Sequence, residues 1–347
     1  MMKEPKEVLQ IFKPFSVLVE QEIMRVLEGC PRLLMYDMMR YFFGFADEKG
    51  TPTRVYGGKR FRSGLCMLIA DMFGKKNKAL QAASAIETFH NFTLIHDDIE
   101  DHDEFRRGRR TVWNVWGINH GINTGDAQLI VAFRMLAKAG ETRDFLEKKF
   151  LEVIEGQFLD FTLTDMAITD EKATETAYIE VIRRKTVALI GAAAQAAGIV
   201  AKQPTHVQKL LWTYGTELGY AYQMCDDLVS IWGDPTMTGK TKHNDMYEKK
   251  KTLPILFLYN ILSSREQKML GNLYSKTGKL SEKEVARIIK LLDASGAYEY
   301  TRAKIENHAK AAKKAAYALP FSEKKRATLS RIVDALLPDI KRTCDHS

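Results

Sequence analysis

Two short acidic clusters are the residues of this sequence best suited, by type and spacing, to do chemistry. In the first, DDIED, Asp97 and Asp101 stand four positions apart and share one helix face, with Asp98 beside them. Carboxylates stacked at the C-terminal end of a helix repel one another and oppose the helix dipole, a conflict that bound cations would relieve. Oxygen ligands without a nearby cysteine suit Mg²⁺. A solvated acidic helix end is the alternative for this cluster taken alone.

The second cluster is the pair Asp226 and Asp227, which follows a mainly apolar helical pattern. Ser230 and Asp234 come four and eight positions after Asp226, on one face if the helix extends so far. One Asp pair is a weak signal, but two pairs on mostly apolar helices, each followed by basic residues, are much stronger. Two facing acidic walls could hold metal ions around one diphosphate, with the ions acting as Lewis acids and as a template.

Basic residues occur in short runs beside these acidic clusters. The runs are Lys59, Arg60 and Arg62; Arg106, Arg107, Arg109 and Arg110; and Lys249–Lys251. The net charge of +8 over 347 residues suggests an anionic partner, such as nucleic acid, a membrane surface or a phosphorylated metabolite. A diphosphate would explain the adjoining runs, because its oxygens can meet a metal on one side and arginine on the other. No nucleic-acid partner is expected, since the two charge types would partly cancel.

Helical periodicity dominates the elements that must position these clusters, and no segment shows the alternation of a sheet strand. With no repeat, linker or change in composition, we expect an all-α fold with a single domain over residues 1–347. The last helix is expected to break near Pro320. The expected helices lie near residues 4–29, 32–45, 58–73, 77–103, 120–138, 144–164, 171–198, 205–232, 251–262, 265–276, 281–294 and 297–340.

Nothing in the sequence predicts export or stable membrane insertion. The weakly polar stretch Val187–Ala201 is shorter than the ~20 residues of a membrane span, and its alanine content predicts a buried, closely packed helix. The N-terminus carries charges of both signs and no apolar signal region. The four cysteines lie far apart and are expected to be reduced thiols, which favours a cytoplasmic location.

In their order and spacing, these motifs resemble the trans-isoprenyl diphosphate synthase (polyprenyl synthetase) family through at least residues 55–260. The matching elements are GGKRFR at 57–62, DDIED at 97–101, RRG at 106–108, Gly156-Gln157 with Asp160, Lys185-Thr186, Gln223 with Asp226-Asp227, Gly239-Lys240, and Lys250–Pro254. The resemblance implies an isoprenoid-synthase helical bundle around a central active-site cavity. It also implies a homodimer that joins an allylic diphosphate to isopentenyl diphosphate with Mg²⁺ as cofactor.

The resemblance further implies roles for individual residues. The magnesium ligands, around three ions and the allylic diphosphate, would be Asp97, Asp98, Asp101 and Asp226. The allylic diphosphate site would be completed by Arg106, Lys185, Lys240 and Lys250. The diphosphate of isopentenyl diphosphate would be held by Lys59, Arg62, His90 and Arg107. The allylic cation would be faced by Thr186 and Gln223, which with Lys185 and the four aspartates make up the expected catalytic set.

Product length is expected to depend on the depth of the cavity. Phe92 and Thr93 lie five and four positions before Asp97, a little over one helical turn away. The resemblance places the floor of the chain-length cavity here. A bulky Phe92 beside a small Thr93 looks like enzymes that make C15 or C20 products, and we expect geranylgeranyl diphosphate.

Ser230 departs from the family pattern, which usually has Asp at this place. With Asp234, it is similar to the metal triad of terpene cyclases, lyases that share the fold. A cyclase is therefore one alternative, although it would not need the residues assigned to isopentenyl diphosphate. A non-catalytic subunit of a heteromeric synthase is another, but such a subunit would be expected to have lost aspartates that are present here.

Overall fold

Two long helices carry the acidic clusters, α4 (Lys76–Glu100) and α10 (Thr205–Trp232). They belong to a computed structural model that describes residues 6–53, 58–233 and 243–337. The predicted site residue Lys240, together with Gly57, Asp234 and Gly239, lies outside the described residues.

The other described helices complete a bundle around the space between α4 and α10. They are α1 (Lys6–Glu28), α2 (Leu34–Phe43), α3 (Phe61–Met72), α5 (Val112–Trp116), α6 (Ile118–Leu136), α7 (Arg143–Asp165), α8 (Glu175–Ile182), α9 (Ala188–Val200), α11 (Asn244–Tyr247), α12 (Leu253–Ile261), α13 (Ser264–Tyr274), α14 (Glu282–Ser295), α15 (Ala297–Ala318) and α16 (Glu323–Leu336). A 3₁₀ turn (Gly140–Thr142) precedes α7, and a π-helical turn (Arg183–Val187) joins α8 to α9. The predicted all-α bundle is confirmed.

Local chemistry explains several of the helix ends. Ser263 with Glu266, and Ser281 with Glu284, form capping boxes that satisfy free backbone N–H groups at the starts of α13 and α14. The first turn of α12 contains Pro254. Proline is tolerated there because a backbone N–H group in the first turn would have no acceptor within the helix. The predicted break near Pro320 is confirmed, because α15 ends at Ala318 and α16 begins at Glu323.

The prediction that no sheet is present was wrong for one small hairpin. β1 (Phe105–Arg106) pairs antiparallel with β2 (Arg109–Arg110) directly after the first acidic cluster. Strands of two residues are too short to show an alternating pattern. The hairpin is held from outside, since Arg109 donates to the carbonyls of Tyr41 and Ala46 at 2.9 and 2.8 Å, and the Tyr41 hydroxyl donates to the Arg110 carbonyl at 2.6 Å.

Helix α9 lies at the centre of the bundle, as its alanine content predicted. Most of its residues are buried, and it packs against α3, α7 and α10. A Cβ atom added to Gly215 of α10 would lie 2.7 Å from the Cα atom of Gly191, so the two backbones touch there. This contact fixes the position of α10 and of the acidic pair that it carries. Among the described residues, no helix combines the length and apolar character needed to cross a bilayer.

The apolar core has two main parts, and α10 belongs to both. Buried residues of the N-terminal half of α10 belong to one core cluster with residues of α1, α3, α4, α6 and α9, whereas those of its C-terminal half belong to a second cluster with residues of α12, α14 and α15. Burial of this kind stabilises a fold by roughly 25 cal/mol per Å² of apolar surface. The second acidic pair therefore lies on a helix that is anchored along its full length.

Candidate active site

A cavity of about 1250 Å³ lies between α4 and α10. The hairpin, α7, the π turn and the segment from Asp245 to Thr252 complete its walls. The predicted site residues that line it are Lys59, Arg62, His90, Phe92, Thr93, Asp97, Asp101, Arg106, Arg107, Lys185, Thr186, Gln223, Asp226 and Lys250. Asp98 is not among the lining residues and lies behind the wall.

Asp97 of α4 lies among groups from three other elements. Its Oδ1 atom is 3.6 Å from the Lys185 Nζ atom and 3.3 Å from the Gln157 Nε2 atom, while its Oδ2 atom is 3.5 Å from an Arg106 nitrogen. Burial would raise the pKa of Asp97, but Lys185 and Arg106 outweigh it and hold this pKa below its ordinary value. Asp97 is therefore a charged carboxylate at the head of the cavity.

Asp98 is almost completely buried, with 1% of its surface exposed. Arg106 donates from Nε to its Oδ1 atom. Its Oδ2 atom has no hydrogen-bond partner in the part of the chain that the structure describes. Burial raises the pKa of Asp98 to about 7 in spite of Arg106. An unsatisfied buried carboxylate oxygen is costly, so this atom has capacity for a cation or a proton.

Asp101 caps the C-terminal end of α4 and faces a lysine that is distant in sequence. Its Oδ2 atom lies 3.4 Å from the Nζ atom of Lys250, which is also 3.4 Å from Glu248. Burial raises the pKa of Asp101 to about 6, although Lys250 acts in the opposite direction. The first acidic wall is thus bracketed by three cations, Arg106, Lys185 and Lys250.

On the second acidic wall, Asp227 is held by hydrogen bonds from uncharged groups. Asp226 and Asp227 both line the cavity, and Asp227 is only 4% exposed. The Tyr178 hydroxyl donates to Asp227 Oδ2 at 2.5 Å, and Gln223 donates from Nε2 to Asp227 Oδ1 at 3.0 Å. The Thr186 hydroxyl in turn donates to Gln223 Oε1 at 2.8 Å. This chain fixes the orientation of the Gln223 amide towards the cavity.

Ser230 does not line the cavity. Its hydroxyl donates to the backbone carbonyl of Asp227 at 2.8 Å, within its own helix. The described structure thus gives no support to the cyclase-like reading of this position, and Asp234, its predicted companion, lies outside the described residues.

The π turn that carries Lys185 and Thr186 touches α7 at a glycine. A Cβ atom at Gly156 would lie 2.3 Å from the backbone nitrogen of Lys185, so only glycine permits this approach. Lys185 Nζ donates to Asp160 of α7 at 2.6 Å, which directs it towards Asp97. Outside the cavity, Arg183 pairs with Glu152 of α7. The π turn is therefore docked on one face of α7.

A cationic pocket occupies another part of the cavity, formed by Lys59, Arg62, His90 and Arg107. Arg62 lies 3.1 Å from the Nε2 atom of His90, and Arg107 donates to Asn91 at 3.4 Å. Burial, followed by the nearby arginines, lowers the pKa of His90 well below its ordinary value, so the ring is neutral and can accept from Arg62. Burial lowers the pKa of Arg107 to about 9. These predicted residues come together, as expected for an anion site.

One buried carboxylate, Glu87, supports this cationic pocket and was missed in the sequence. It accepts hydrogen bonds from Arg60 at 3.2 Å, Ser63 at 2.8 Å and Asn91 at 2.9 Å. Tyr178, the partner of Asp227, was also missed. Glu87 stands three positions before His90, a spacing that would have placed it on the same face of α4. Nothing local marks Tyr178, which is 49 residues from its partner.

The expected chain-length residues lie on α4 below the acidic wall. The Phe92 ring packs against Phe89 and His96, with ring centroids 5.5 and 5.0 Å apart. The Thr93 hydroxyl donates to the His90 carbonyl at 2.8 Å, so Thr93 turns its polar atom away from the cavity. Both residues line the cavity, which is compatible with a floor at this level.

The acidic residues have the oxygen ligands that a hard cation prefers, but they do not by themselves form a complete metal site. Within the described ranges, no three His, Cys, Asp or Glu side chains are close enough together to hold a metal by themselves. Their oxygens are directed towards Arg106, Lys185 and Lys250 instead. The free oxygen of Asp98 and the all-oxygen donor set nevertheless suit Mg²⁺, provided that the substrate supplies further oxygens.

Comparisons with known proteins agree with this site. Residues 52–292 match the family model of polyprenyl synthetases. A (2E,6E)-farnesyl diphosphate synthase of Mycobacterium bovis is 32% identical over 285 residues, covering 79% of this chain and 77% of that protein. A geranylgeranyl pyrophosphate synthase of Geoglobus acetivorans is 36% identical over 266 residues, covering 74% and 80%.

Solved structures agree as well. The crystal structure of a polyprenyl synthetase from Streptomyces coelicolor A3(2) superposes with a TM-score of 0.83 at 28% identity, covering 95% of this chain and all of that one. The match extends over the helices that form the cavity and its acidic walls. The chain therefore belongs to the polyprenyl synthetase family, a family of prenyltransferases.

Proposed function

We propose that this protein joins an allylic diphosphate to isopentenyl diphosphate and releases geranylgeranyl diphosphate as its main product. The observation that carries the proposal is a cavity with two separate groups of cationic side chains, each suited to an anion. One is the acidic head bracketed by Arg106, Lys185 and Lys250, and the other is the cationic pocket around Arg62 and Arg107. Two diphosphate substrates require two such sites.

The arrangement accounts for the chemistry of both substrates. Breaking the C–O bond of an allylic diphosphate leaves a carbocation and places negative charge on the departing diphosphate, where Arg106, Lys185 and Lys250 would stabilise it. The C=C bond of isopentenyl diphosphate, held by the cationic pocket, then attacks the cation. A proton is finally lost, and the departing diphosphate is a suitable base. Thr186 and Gln223 would face the cation between the two sites.

Mg²⁺ is the proposed cofactor, with three ions around the bound allylic diphosphate. Asp97, Asp101 and Asp226 line the cavity and would hold the ions, while buried Asp98 would support them from behind. Bound ions would supply Lewis-acid stabilisation of the leaving diphosphate. The proposed allylic-site residue Lys240 keeps its role as a prediction from the family motif.

Geranylgeranyl diphosphate is proposed as product because the bulky Phe92 lines the cavity on α4, below the acidic wall. Phe92→Ala would remove a buried ring, 6% exposed, that packs against Phe89. We expect the main product of this variant to gain one or more isoprene units. Mass analysis of the dephosphorylated products checks this, and a product distribution equal to that of the unmodified protein would remove Phe92 from the floor.

The protein is also proposed to form a homodimer. Helices α6 and α7 expose large apolar side chains, among them Ile130 (59%), Leu151 (58%) and Phe158 (71%). Leu151, Ile154 and Phe158 lie on one face of α7. A second copy of the chain would cover this apolar face. Sedimentation analysis should give a mass near twice 39.5 kDa.

The three described cysteines are unpaired, which supports the cytoplasm as the location.

The decisive experiment supplies the purified protein with Mg²⁺, labelled isopentenyl diphosphate and, separately, dimethylallyl, geranyl, farnesyl and geranylgeranyl diphosphates. Longer diphosphates that require both substrates and vanish with EDTA are expected. Consumption of an allylic diphosphate alone, giving a hydrocarbon or alcohol, would establish the cyclase instead. No turnover of any substrate would favour the non-catalytic subunit.

A further inference from the structure

Gly125 of α6 leaves the space that the imidazole of His96 occupies. A Cβ atom at Gly125 would lie 2.2 Å from His96 Nε2 and 2.3 Å from His96 Cδ2. Real Cβ atoms essentially never approach this closely, so any side chain here would force the ring to move. His96 is thus packed directly on the backbone of the neighbouring helix.

The imidazole lies between this helix and the cavity. On the α6 side, His96 Nε2 is 3.2 Å from the Ile122 carbonyl oxygen and 3.6 Å from an Asp126 carboxylate oxygen. On the other side, His96 lines the cavity, and its side chain is 24% exposed. Because the backbone of α6 blocks one direction, a displaced ring would move towards the cavity.

His96 also holds the Phe92 ring in place. The two rings meet edge to face at 5.0 Å, and Phe92 contacts Phe89 on its other side at 5.5 Å. Phe89 in turn stacks on Phe150 of α7 at 4.0 Å. The Phe92 ring is therefore in contact on both sides, with His96 and with Phe89.

We propose that Gly125 is a specificity-determining residue, which sets product length by admitting the His96 ring to the α4–α6 contact. With the ring seated against α6, the prenyl tail has the space beside Phe92. With the ring displaced, the tail loses that space. This inference rests on the proposed prenyl transfer and deepens it, because it places a determinant of chain length on a helix outside the acidic motifs.

The test is Gly125→Ala with Gly121→Ala as matched control. Gly121 stands one turn away on the same helix, and a Cβ atom there would meet the end of the Ile99 side chain at 2.8 Å, away from the cavity lining. Each protein is given farnesyl or dimethylallyl diphosphate with isopentenyl diphosphate. Gly125→Ala should lower the ratio of farnesyl to dimethylallyl use roughly tenfold and shorten the product, as overpacking of this kind is costly. Gly121→Ala should leave both unchanged.

The variant His96→Ala tests whether Gly125 affects product length through the His96 ring. The single variant should lengthen the product, and Gly125→Ala added to it should have no further effect on the ratio. The ratio is measured within one preparation, so it does not depend on how much protein is folded. An unchanged ratio in Gly125→Ala, or an equal fall of the ratio with and without His96, would overturn the inference. If the unmodified protein itself formed no longer diphosphate, the proposed function would fail, and the inference with it.

Discussion

The two acidic walls of the cavity hold their carboxylates by different means. On α4, Asp97 and Asp101 face Lys185 and Lys250, cations that come from distant segments of the chain. On α10, Asp227 is fixed by hydrogen bonds from Tyr178 and Gln223, which are uncharged. The α4 carboxylates are thus balanced by charge, whereas Asp227 on α10 is held by neutral polar groups.

The difference shows how such a site can be prepared for an anion. The cations that pair with the α4 carboxylates already lie at the head of the cavity, where a diphosphate would bind. On binding, these cations would exchange the carboxylates for diphosphate oxygens, and the carboxylates would be left for Mg²⁺. Asp227 on the α10 wall needs no such exchange, since Tyr178 and Gln223 hold it with uncharged groups. Charge changes should therefore harm the first wall more than the second.

Removing charge from the α4 wall should give the largest effect. Asp97→Asn keeps the shape of the side chain but leaves Lys185 and Arg106 with one anion fewer. We expect kcat/KM for prenyl transfer to fall by about 10²–10³, the scale seen when one preorganised electrostatic contact is lost. The control is Asp71→Asn, which removes a carboxylate from a surface ion pair with Lys76 at 3.7 Å and should change kcat/KM by less than about threefold. Equal losses in the two variants would contradict the importance of the α4 wall.

A smaller effect is expected on the α10 wall. Gln223→Leu would remove the hydrogen bonds to Asp227 and from Thr186 without altering net charge. The loss of two such bonds corresponds to roughly 2 kcal/mol, or about thirtyfold in kcat/KM. Gln208→Leu, on the same helix but bonded to the Gln203 carbonyl at 2.8 Å, is the matched control. If Gln223→Leu cost more than Asp97→Asn, the ranking of the walls would be wrong.

The smallest predicted effect is a change in stability at Lys251. Unlike its neighbour Lys250, Lys251 does not pair with the α4 wall and contributes to packing. It is 4% exposed and donates to the Thr164 carbonyl at 2.8 Å. Burial lowers the pKa of Lys251 from 10.5 to about 8. Since the folded protein then binds fewer protons than the unfolded chain between these values, its stability rises with pH across this range.

Lys251→Met should accordingly be more stable than the unmodified protein below pH 8, by about 1 kcal/mol after allowance for solvent screening. The advantage should shrink as the pH rises from 8 towards 10.5. Urea unfolding at pH 7 and pH 9.5 measures both. Lys202→Met, at an exposed side chain, should show no such trend. A constant advantage at both pH values would mean that burial of the Lys251 charge does not limit stability.

The sequence alone was sufficient for most of the helices and for the residues that line the cavity. Asp97, Asp101 and Asp226 lie in local motifs, and helical spacing shows which of them share a face. The cationic pocket followed from the family motif, and its described members do converge. Their roles in binding stay predictions.

What the sequence did not reveal depends on contacts between distant segments. Asp98 is buried behind the wall, whereas Asp97 lines the cavity. This difference follows from the position of Arg106, which the hairpin places beside Asp98. The predicted continuous helix over 171–198 was wrong, because α8 begins at Glu175 and a π turn interrupts the helical run before α9. The π turn packs against α7 at Gly156, where only glycine leaves room for its backbone. No residue near the turn in the sequence indicates this contact.

The π turn has a consequence for the heat resistance of the protein. A π turn has poorer regularity than the α-helix on either side and is found mostly at functional sites. Deleting one of the five residues Arg183–Val187 would let α8 run into α9 as one regular helix, but it would rotate Lys185 and Thr186 away from Asp97 and Gln223. Changes that make this segment a regular helix would thus raise thermal stability but lower catalytic activity. This trade-off between stability and activity is confined to one turn of the chain.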